Sequence, residues 1–253
     1  MKKRKLLSLV VPAHKQEKTI VQDIKSLDNS LSLLGSPYEI IVVVDGFLDK
    51  TFEKAKSIDL KNVKVYGYRN NMGKGYAVKF GSLKTKGDIV GFIDAGMDID
   101  PSGIGVLLNY LFFHNADIVI GSKLHPDSIV DYPVQRKIIS WGYRELTHFL
   151  FGLDIKDTQV GFKLFRRKVI ENVFPQLLVK QFAFDIEALA VANFLGYGKI
   201  YEAPVNLKFT GWSSITARSF WKIIFFTFWD TIAVFYRLKI MRYYKIPRKN
   251  PKK

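Results

Sequence analysis

Short apolar runs alternate with longer segments of helical periodicity along the first half of the chain. The runs are rich in Val and Ile and are typical of buried strands. They are Leu6–Pro12, Tyr38–Val44, Val63–Tyr66, Ile89–Ile93 and Asp117–Gly121. Strands that alternate with helices form a mostly parallel sheet covered on both faces, so the pattern predicts an α/β fold.

The second half of the chain has a different pattern. Residues 122–135 are polar and contain two prolines, which indicates a loop, and a helix to about Phe151 is predicted after it. A glycine-containing turn at 157–161 leads into a further strand. Ile200–Val205 is expected at the edge of the sheet, because Pro204 has no N–H to donate to a neighbouring strand.

The last apolar stretch, residues 219–237, is long enough to cross a bilayer but carries Asp230 near its middle. On a helix, the polar residues Ser219, Lys222, Asp230 and Arg237 share one narrow stripe, and the remaining surface is apolar. Such a helix can lie in a membrane interface, which the pattern favours, or pack on the domain core, or span the membrane. A break near Arg237 and a shorter basic helix are expected after it.

Positive charge is concentrated at the two ends of the chain. The net charge is +16, and residues 2–5 and 237–253 contribute twelve positive charges without an acid among them. Basic segments beside an apolar helix are typical of binding to an anionic membrane surface, and solvated tails are the alternative. No nucleic-acid-binding module is recognisable, so we expect no nucleic-acid partner. The sequence thus predicts a domain over residues 1–216, and amphipathic interfacial helices with a basic tail over 217–253.

Composition and spacing exclude two classes of site and one targeting segment. The chain has no cysteine, which excludes disulfides and thiolate metal sites, and its four histidines lack zinc-protease spacing. Leu6–Val11 is too short for the apolar region of a signal peptide and ends at Pro12.

Carboxylates follow two of the predicted strands. Asp45 comes directly after one strand, and Asp94, Asp98 and Asp100 follow another. Ligands bind beyond the carboxyl ends of the strands in open α/β sheets, and carboxylate oxygens are ligands of Mg²⁺ and Mn²⁺. The loop after Asp94 is therefore a candidate site for a cation that holds a diphosphate. The alternative is that these aspartates cap the next helix, as Asp100-Pro101 is expected to do.

A glycine-rich turn at residues 69–78 runs into a helix. Backbone N–H groups at a helix start favour bound anions, and Lys74 lies beside them. The turn is not a Walker loop, because the full glycine spacing and the following Ser or Thr are missing.

Six motifs occur in the order found in inverting family 2 glycosyltransferases, and the chain resembles the polyprenyl-phosphate branch of that family. They are residues 10–17, 43–46, 71–75, 157–165, 184–187 and 202–205. Residues 71–75 match Asn-x-Gly-Lys-Gly outright. Residues 157–165 are very close to the Asp-Thr-Gln-Cys-Gly-Phe-Lys-Leu-Phe of dolichyl-phosphate β-glucosyltransferases. The resemblance covers about residues 6–216 and implies the GT-A fold, a Rossmann-like sheet with helices on both faces.

The chain departs from the family pattern at two places. The metal motif of the family is Asp-x-Asp, whereas this chain has Asp94-Ala95-Gly96. Either Asp98 supplies the second carboxylate, or the metal is bound more weakly, through the diphosphate. Residues 213–215 read Ser-Ser-Ile where relatives tend to have Ser-Lys-Leu, and Arg218 is a possible substitute for that lysine.

The resemblance implies roles for individual residues. The metal, Mg²⁺ or Mn²⁺, would be bound by Asp94 and Asp98. The nucleotide would lie against Pro12, His14, Glu17, Asp45 and Lys74. The phosphates would be held by Lys123, Arg136, Ser140 and Arg218. Asp157 would face the sugar and the acceptor, and it forms the expected catalytic set with Asp94 and Arg136.

The implied activity is inverting transfer of a hexose from a nucleotide diphosphate to a polyprenyl phosphate such as dolichyl phosphate. The motif at 157–165 favours UDP-glucose as the donor. The implied protein is peripheral to the membrane, on its cytoplasmic face. The alternatives are a GDP-mannose-dependent enzyme and a non-catalytic membrane-bound partner that binds a nucleotide sugar or lipid.

Overall fold

The structure is a computed structural model that describes residues 5–130, 134–207 and 217–245, and for 134–141 and 217–223 it describes the backbone alone. The strands are β1 (Leu7–Ala13), β2 (Tyr38–Asp45), β3 (Val63–Tyr68), β4 (Ile89–Ile93), β5 (Ile118–Ser122), β6 (Ile129–Val130), β7 (Phe162–Arg166), β8 (Ile200–Pro204) and β9 (Asn206–Leu207). The α-helices are α1 (Ile20–Ser32), α2 (Thr51–Lys56), α3 (Lys74–Lys84), α4 (Ile104–Phe113), α5 (Val134–Phe151), α6 (Arg167–Val173), α7 (Phe184–Phe194) and α8 (Ala217–Phe235).

In the described part of the chain, seven strands form one sheet in the order β3-β2-β1-β4-β7-β5-β8. All neighbouring pairs are parallel except those of β7, which runs antiparallel between β4 and β5. The predicted α/β fold with a mostly parallel sheet is confirmed. The reversed strand is not visible in the pattern, because an apolar run has the same composition in either direction.

Two apolar clusters cover the two faces of the sheet. One contains the inner residues of α1 and α4, including Ile24 and Leu107, and the other those of α3, α6 and α7, including Val78, Val169 and Leu189. The strands at the centre of the sheet are buried along almost their whole length. Burial on both faces explains why they appear in the sequence as continuous apolar runs.

The expected edge strand is also confirmed, because β8 is the last strand of the sheet and its Pro204 pairs with Ser122 at the end of β5. The short parallel pair of β6 and β9 and the helix α6 were not predicted. Helix α2 is short, with six residues.

The inner face of α8 is part of the core of the domain. Val234 and Leu238 lie in the same apolar cluster as α7, and the hydroxyls of Tyr143 and Thr231 are 2.9 Å apart, which joins α5 to α8. The segment after α8 is a single π-helical turn, Tyr236–Ile240. The predicted second basic helix is absent from residues 241–245, and 246–253 lie outside the described residues.

The outer face of α8 is apolar and exposed. Its exposed side chains are Phe225, Phe226, Phe228 and Trp229. Of the arrangements that the sequence left open, the packing on the domain core is therefore observed for one face of the helix, and the other face is exposed. Among the described residues, none of the helices combines the length and the apolar character that a membrane crossing requires.

Candidate active site

Asp45 fixes the glycine-rich turn to the end of β2. Its two carboxylate oxygens accept the backbone N–H groups of Met72 at 2.7 Å and Gly73 at 2.9 Å, and its side chain is buried. Gly73 has φ +99°, and a Cβ there would collide with the carbonyl of Lys180, so only glycine fits. The first turn of α3 is thereby held at the rim of the sheet where β1, β2 and β4 end.

The other residues assigned to the nucleotide lie at the end of β1. His14 is exposed. Its Nδ1 lies 2.9 Å from the backbone carbonyl oxygen of Asp45 and 3.0 Å from the side-chain nitrogen Nδ2 of Asn71. Pro12 is buried within β1. The carboxylate of Glu17 accepts the N–H of Lys50 at 3.1 Å, before the start of α2. His14 thus lies with Asp45 and the glycine-rich turn, whereas the described contact of the Glu17 carboxylate is with the connection to α2.

A row of alternating charges extends from the glycine-rich turn to α7. Nζ of Lys74 lies 2.8 Å from Oδ2 of Asp94 and 3.9 Å from Oδ2 of Asp185. The other oxygen of Asp185 lies 2.6 Å from Nζ of Lys163, which is fully buried and also donates to the carbonyl of Val160. Each positive group therefore has a carboxylate beside it, as a charge in a low-dielectric interior requires.

Burial disfavours the charged form of both lysines of this row, but their pKa values shift in opposite directions. Burial disfavours the ammonium of Lys74, but the carboxylates of Asp94 and Asp185 outweigh it and raise the pKa of Lys74 above its ordinary value. Burial lowers the pKa of Lys163, although Asp185 opposes that shift. Lys74 is therefore held as a fixed cation at the rim.

The two oxygens of Asp94 have different surroundings. Oδ2 accepts from Lys74, whereas Oδ1 is buried and has no hydrogen-bond partner. The carboxylate packs directly on Gly161, where a Cβ would overlap it. The N–H of Asp94 also donates to the carbonyl of Gly161 at 3.0 Å. A glycine at 161 is thus needed for Asp94 to occupy this position.

The loop after Asp94 bends toward α1. The N–H of Gly96 donates to the carboxylate of Asp23 at 2.9 Å, and Gly96 has φ +90°. Burial raises the pKa of Asp23, the hydrogen bonds from Gly96 and Thr19 oppose that shift, and the negative charge of Asp98 adds to it. Gly96 therefore stands where the family has its second aspartate. Its backbone is in the left-handed region, and its N–H is bound to the carboxylate of Asp23. Asp98 lies near Asp23.

Asp100 has the capping role that was expected. Its Oδ1 accepts the N–H of Ser102 at 2.8 Å, and Pro101 occupies the first position of the short 3₁₀ turn before α4. The prediction that Asp100-Pro101 begins this helical segment is confirmed.

Asp157 lies on the other side of β7. Its Oδ2 accepts the N–H of Lys123 at 3.2 Å and lies 3.7 Å from Nζ of the same lysine. Glu202 accepts the N–H groups of Lys156 and Asp157 at 3.1 and 3.0 Å, and so fixes this turn to β8. Lys123 and Asp157, which the resemblance assigns to phosphate and sugar, are thus neighbours.

Three of the expected phosphate-binding residues belong to helices, but their side chains lie outside the described residues. Arg136 and Ser140 are in the first turns of α5, and Arg218 is in the first turn of α8. Four charged residues of the rim and its support were not assigned from the sequence: Asp23, Lys163, Asp185 and Glu202. Lys163, Asp185 and Glu202 lie within the recognised motifs at 157–165, 184–187 and 202–205, so these motifs could have identified them as candidates.

The carboxylate at Asp94 suits a divalent cation that is bound partly by the protein and partly by a diphosphate. The buried, unpartnered Oδ1 of Asp94 is a free acceptor of the kind that Mg²⁺ or Mn²⁺ binds. Within residues 5–130, 134–207 and 217–245, no three His, Asp or Glu side chains are arranged to hold a metal ion. A cation at Asp94 would therefore need further oxygens from a bound diphosphate.

Comparison with known proteins gives a family for this arrangement of motifs. The model of a family described as glycosyl transferase family 2 matches residues 8–174. A dolichyl-phosphate beta-glucosyltransferase of Trichomonas vaginalis is 35% identical over 79% of this chain and 65% of its own length. The human dolichyl-phosphate beta-glucosyltransferase is 30% identical over 86% of this chain and 71% of its own length. The chain thus spans slightly less than two thirds of the Trichomonas protein.

A solved structure has the same fold. It is glucosyl-3-phosphoglycerate synthase from Mycobacterium tuberculosis in complex with Mn²⁺, UDP and phosphoglyceric acid. The superposition has a TM-score of 0.70 and covers 91% of this chain and 78% of the synthase, at 19% identity. At this identity the likeness extends to the fold alone.

Proposed function

The chain belongs to glycosyl transferase family 2, and from that membership we propose that it transfers glucose from UDP-glucose to dolichyl or a related polyprenyl phosphate. Transfer proceeds with inversion at the sugar. The observation that carries this proposal is the ion-paired row that joins Asp94 at the end of β4 to Lys74 of the glycine-rich turn. The names of the relatives at 30–35% identity support glucose and dolichyl phosphate as the substrates.

The donor end of the site is formed by β1, β2 and the glycine-rich turn. Asp45 keeps this turn in place through its buried carboxylate, and its backbone carbonyl lies beside Nδ1 of His14, which we assign to the nucleotide. Lys74, held as a cation between two carboxylates, neutralises charge on the diphosphate as it departs. Asp94 would hold Mg²⁺ or Mn²⁺ through Oδ1, with Asp98 as a candidate second ligand. When bound, that cation supplies further positive charge to the leaving diphosphate.

The acceptor requires positioning more than activation. A lipid phosphate is anionic at neutral pH and is a nucleophile without a strong general base. The principal task is to bring two anionic groups together. Lys123, which Asp157 orients, and Arg136, Ser140 and Arg218 are the candidates for that task. Arg136 offers a planar pair of donors suited to phosphate.

The lipid acceptor gives the outer face of α8 a role. We assign the exposed aromatic side chains of this helix, with the basic residues of the segment after it, to the surface of an anionic membrane. The protein is then peripheral to the membrane, and we assign it to the cytoplasmic face. A polyprenyl chain stays in the bilayer, so this arrangement keeps the rim of the sheet close to the acceptor phosphate.

A donor panel tests the proposal. Purified protein is incubated with Mn²⁺ or Mg²⁺, a short polyprenyl phosphate and either radiolabelled UDP-glucose or radiolabelled GDP-mannose. We expect labelled lipid from UDP-glucose, with the β-anomer identified by NMR. Labelled lipid from GDP-mannose instead would identify the mannosyl enzyme. No labelled lipid with any common nucleotide sugar would favour a non-catalytic binding partner.

A further inference from the structure

Glu187 of α7 is a buried carboxylate that joins two distant parts of the chain. It has no exposed surface on its side chain. On one side it accepts the N–H groups of Leu178 at 2.9 Å and Val179 at 2.8 Å. On the other it accepts the hydroxyl of Tyr244 at 2.6 Å, and Nη2 of Arg237 lies 3.4 Å away.

The first side of this junction leads to the glycine-rich turn. We call residues 177–181 the bridging segment. Its Lys180 carbonyl accepts the N–H of Tyr76 in the first turn of α3 at 3.2 Å, and the same carbonyl abuts Gly73. Gly73 is in turn bound by Asp45. Two hydrogen-bonded steps therefore connect Glu187 to the turn that we assign to the nucleotide.

The second side leads to the surface that we assign to the membrane. Tyr244 is buried, whereas its neighbours Arg242, Tyr243 and Lys245 are exposed. Nε of Arg237 also donates to the Tyr244 hydroxyl at 3.2 Å. The short segment 242–245 thus presents basic and aromatic groups outward, and one phenol inward to Glu187.

A second contact ties the same segment to the same region. The N–H of Lys245 donates to the side-chain oxygen of Gln176 at 2.8 Å, and the side-chain nitrogen of Gln176 donates to the Lys245 carbonyl at 3.0 Å. The chain just before the bridging segment is therefore paired with the end of the described chain. These bonds join residues 242–245 to the start of the bridging segment.

We infer that Glu187 is a positioning residue that couples the seating of residues 236–245 on an anionic membrane to nucleotide binding at the glycine-rich turn. This inference rests on the proposed function. A membrane that fixes this segment keeps Tyr244 and Arg237 on Glu187, and Glu187 then holds the bridging segment against Gly73 and Tyr76. Coupling between two sites is reciprocal, so UDP must strengthen vesicle binding by the same factor by which vesicles strengthen UDP binding.

The unmodified protein tests the coupling directly. The dissociation constant of UDP, with Mn²⁺ present, is measured with and without phosphatidylcholine vesicles that contain phosphatidylserine. Vesicle affinity is then measured with and without UDP. We expect both factors to be equal and about fivefold or more. Independent binding of UDP and vesicles would overturn the inference and leave the proposed transfer intact. Absence of vesicle binding would overturn both the inference and the membrane assignment.

Tyr244→Phe tests whether the coupling passes through Glu187. It removes the hydroxyl and keeps the ring, and the matched control Tyr201→Phe makes the same change at an exposed tyrosine of β8, outside the segment assigned to the membrane. We expect Tyr244→Phe to bring the coupling factor close to one and Tyr201→Phe to preserve it. A purely structural role would lower the stability of Tyr244→Phe and leave the factor unchanged, which would refute the inference. Should Tyr244→Phe fail to fold, Arg237→Gln, at a partly exposed partner of Glu187, must reduce the factor for the inference to stand.

Discussion

The ammonium of Lys74 lies 2.8 Å from Oδ2 of Asp94, which joins the glycine-rich turn to the carboxyl end of β4. This pair leaves only Oδ1 of Asp94 without a partner. The family's metal motif has two aspartates, whereas this chain has only Asp94 there. Lys74 occupies one of the two carboxylate oxygens of Asp94. The cation and the donor diphosphate are accordingly expected to bind together.

Lys74→Gln is expected to lower the rate of glucosyl transfer about 100-fold, because it removes a cation fixed beside the diphosphate. The measurement is the initial rate with saturating lipid phosphate. Lys84→Gln, at an exposed position in the last turn of the same helix, removes the same charge far from the rim and is expected to retain activity. Equal loss in both variants would point to the overall charge of the protein rather than to the pair with Asp94.

Asp94→Asn is expected to reduce transfer to below about one hundredth without unfolding the domain, since the carboxylate lies at the rim and not in the apolar core. Activity and the thermal unfolding midpoint are measured on the same preparation. An active Asp94→Asn enzyme would show that the assignment of the cation to Asp94 is wrong.

Gly161→Ala tests the position of Asp94 without changing its charge. The added methyl group would overlap the Asp94 carboxylate, so we expect a loss of transfer comparable to that of Asp94→Asn. Gly103→Ala is the matched control, because a Cβ there meets only ordinary contact with Phe162. Full activity of Gly161→Ala would mean that the site tolerates a displaced carboxylate.

Replacing Phe225 and Trp229 with Ser is expected to weaken vesicle binding about tenfold or more, since each residue is 64% exposed and its ring would no longer be transferred into the membrane interface. Co-sedimentation with anionic vesicles measures the change. Phe113→Ser removes an exposed ring from α4, on the opposite face of the sheet, and is expected to have no effect. Deletion of α8 is a poorer test, because Val234 and Leu238 belong to the core.

The stability of the domain is expected to depend on pH through Glu39. Burial alone would raise the pKa of Glu39, but the Lys86 N–H, the Ser8 hydroxyl and the Lys64 ammonium outweigh it and lower the pKa below its ordinary value of 4.5. The stabilisation is therefore complete above pH 4.5 and is lost as the pH falls through the lowered pKa of the folded state.

Glu39→Gln provides the measurement. Urea unfolding is expected to give the unmodified protein an advantage of about 1–3 kcal/mol near neutral pH, which shrinks in acid. The Glu39→Gln variant should lack this component of the pH dependence. An advantage that stays constant from neutral to acid pH would exclude Glu39 as its source.

The sequence alone determined the main strands, most helices and the edge of the sheet at which the candidate site lies. Apolar runs and helical spacing are local properties of the chain, so they identify the main strands and most helices. They also put Asp45 and Asp94 at the ends of strands, where parallel topology gathers them at one edge. Pro204 predicted an edge strand because proline has no backbone N–H to donate to a neighbouring strand. This is a property of a single residue, so the sequence alone shows it.

The tertiary structure decided which charges meet. Lys74 at the start of α3 pairs with Asp94 at the end of β4, and the antiparallel insertion of β7 brings Lys163 to Asp185 and Gly161 to Asp94. Those partners are separated along the chain, and no local pattern encodes the neighbour of a strand. The same holds for α8, because an apolar face has the same composition whether it meets the core or a membrane. Only the packing of Val234 and Leu238 inward, with Phe225 and Trp229 outward, shows which face meets the core and which face is exposed.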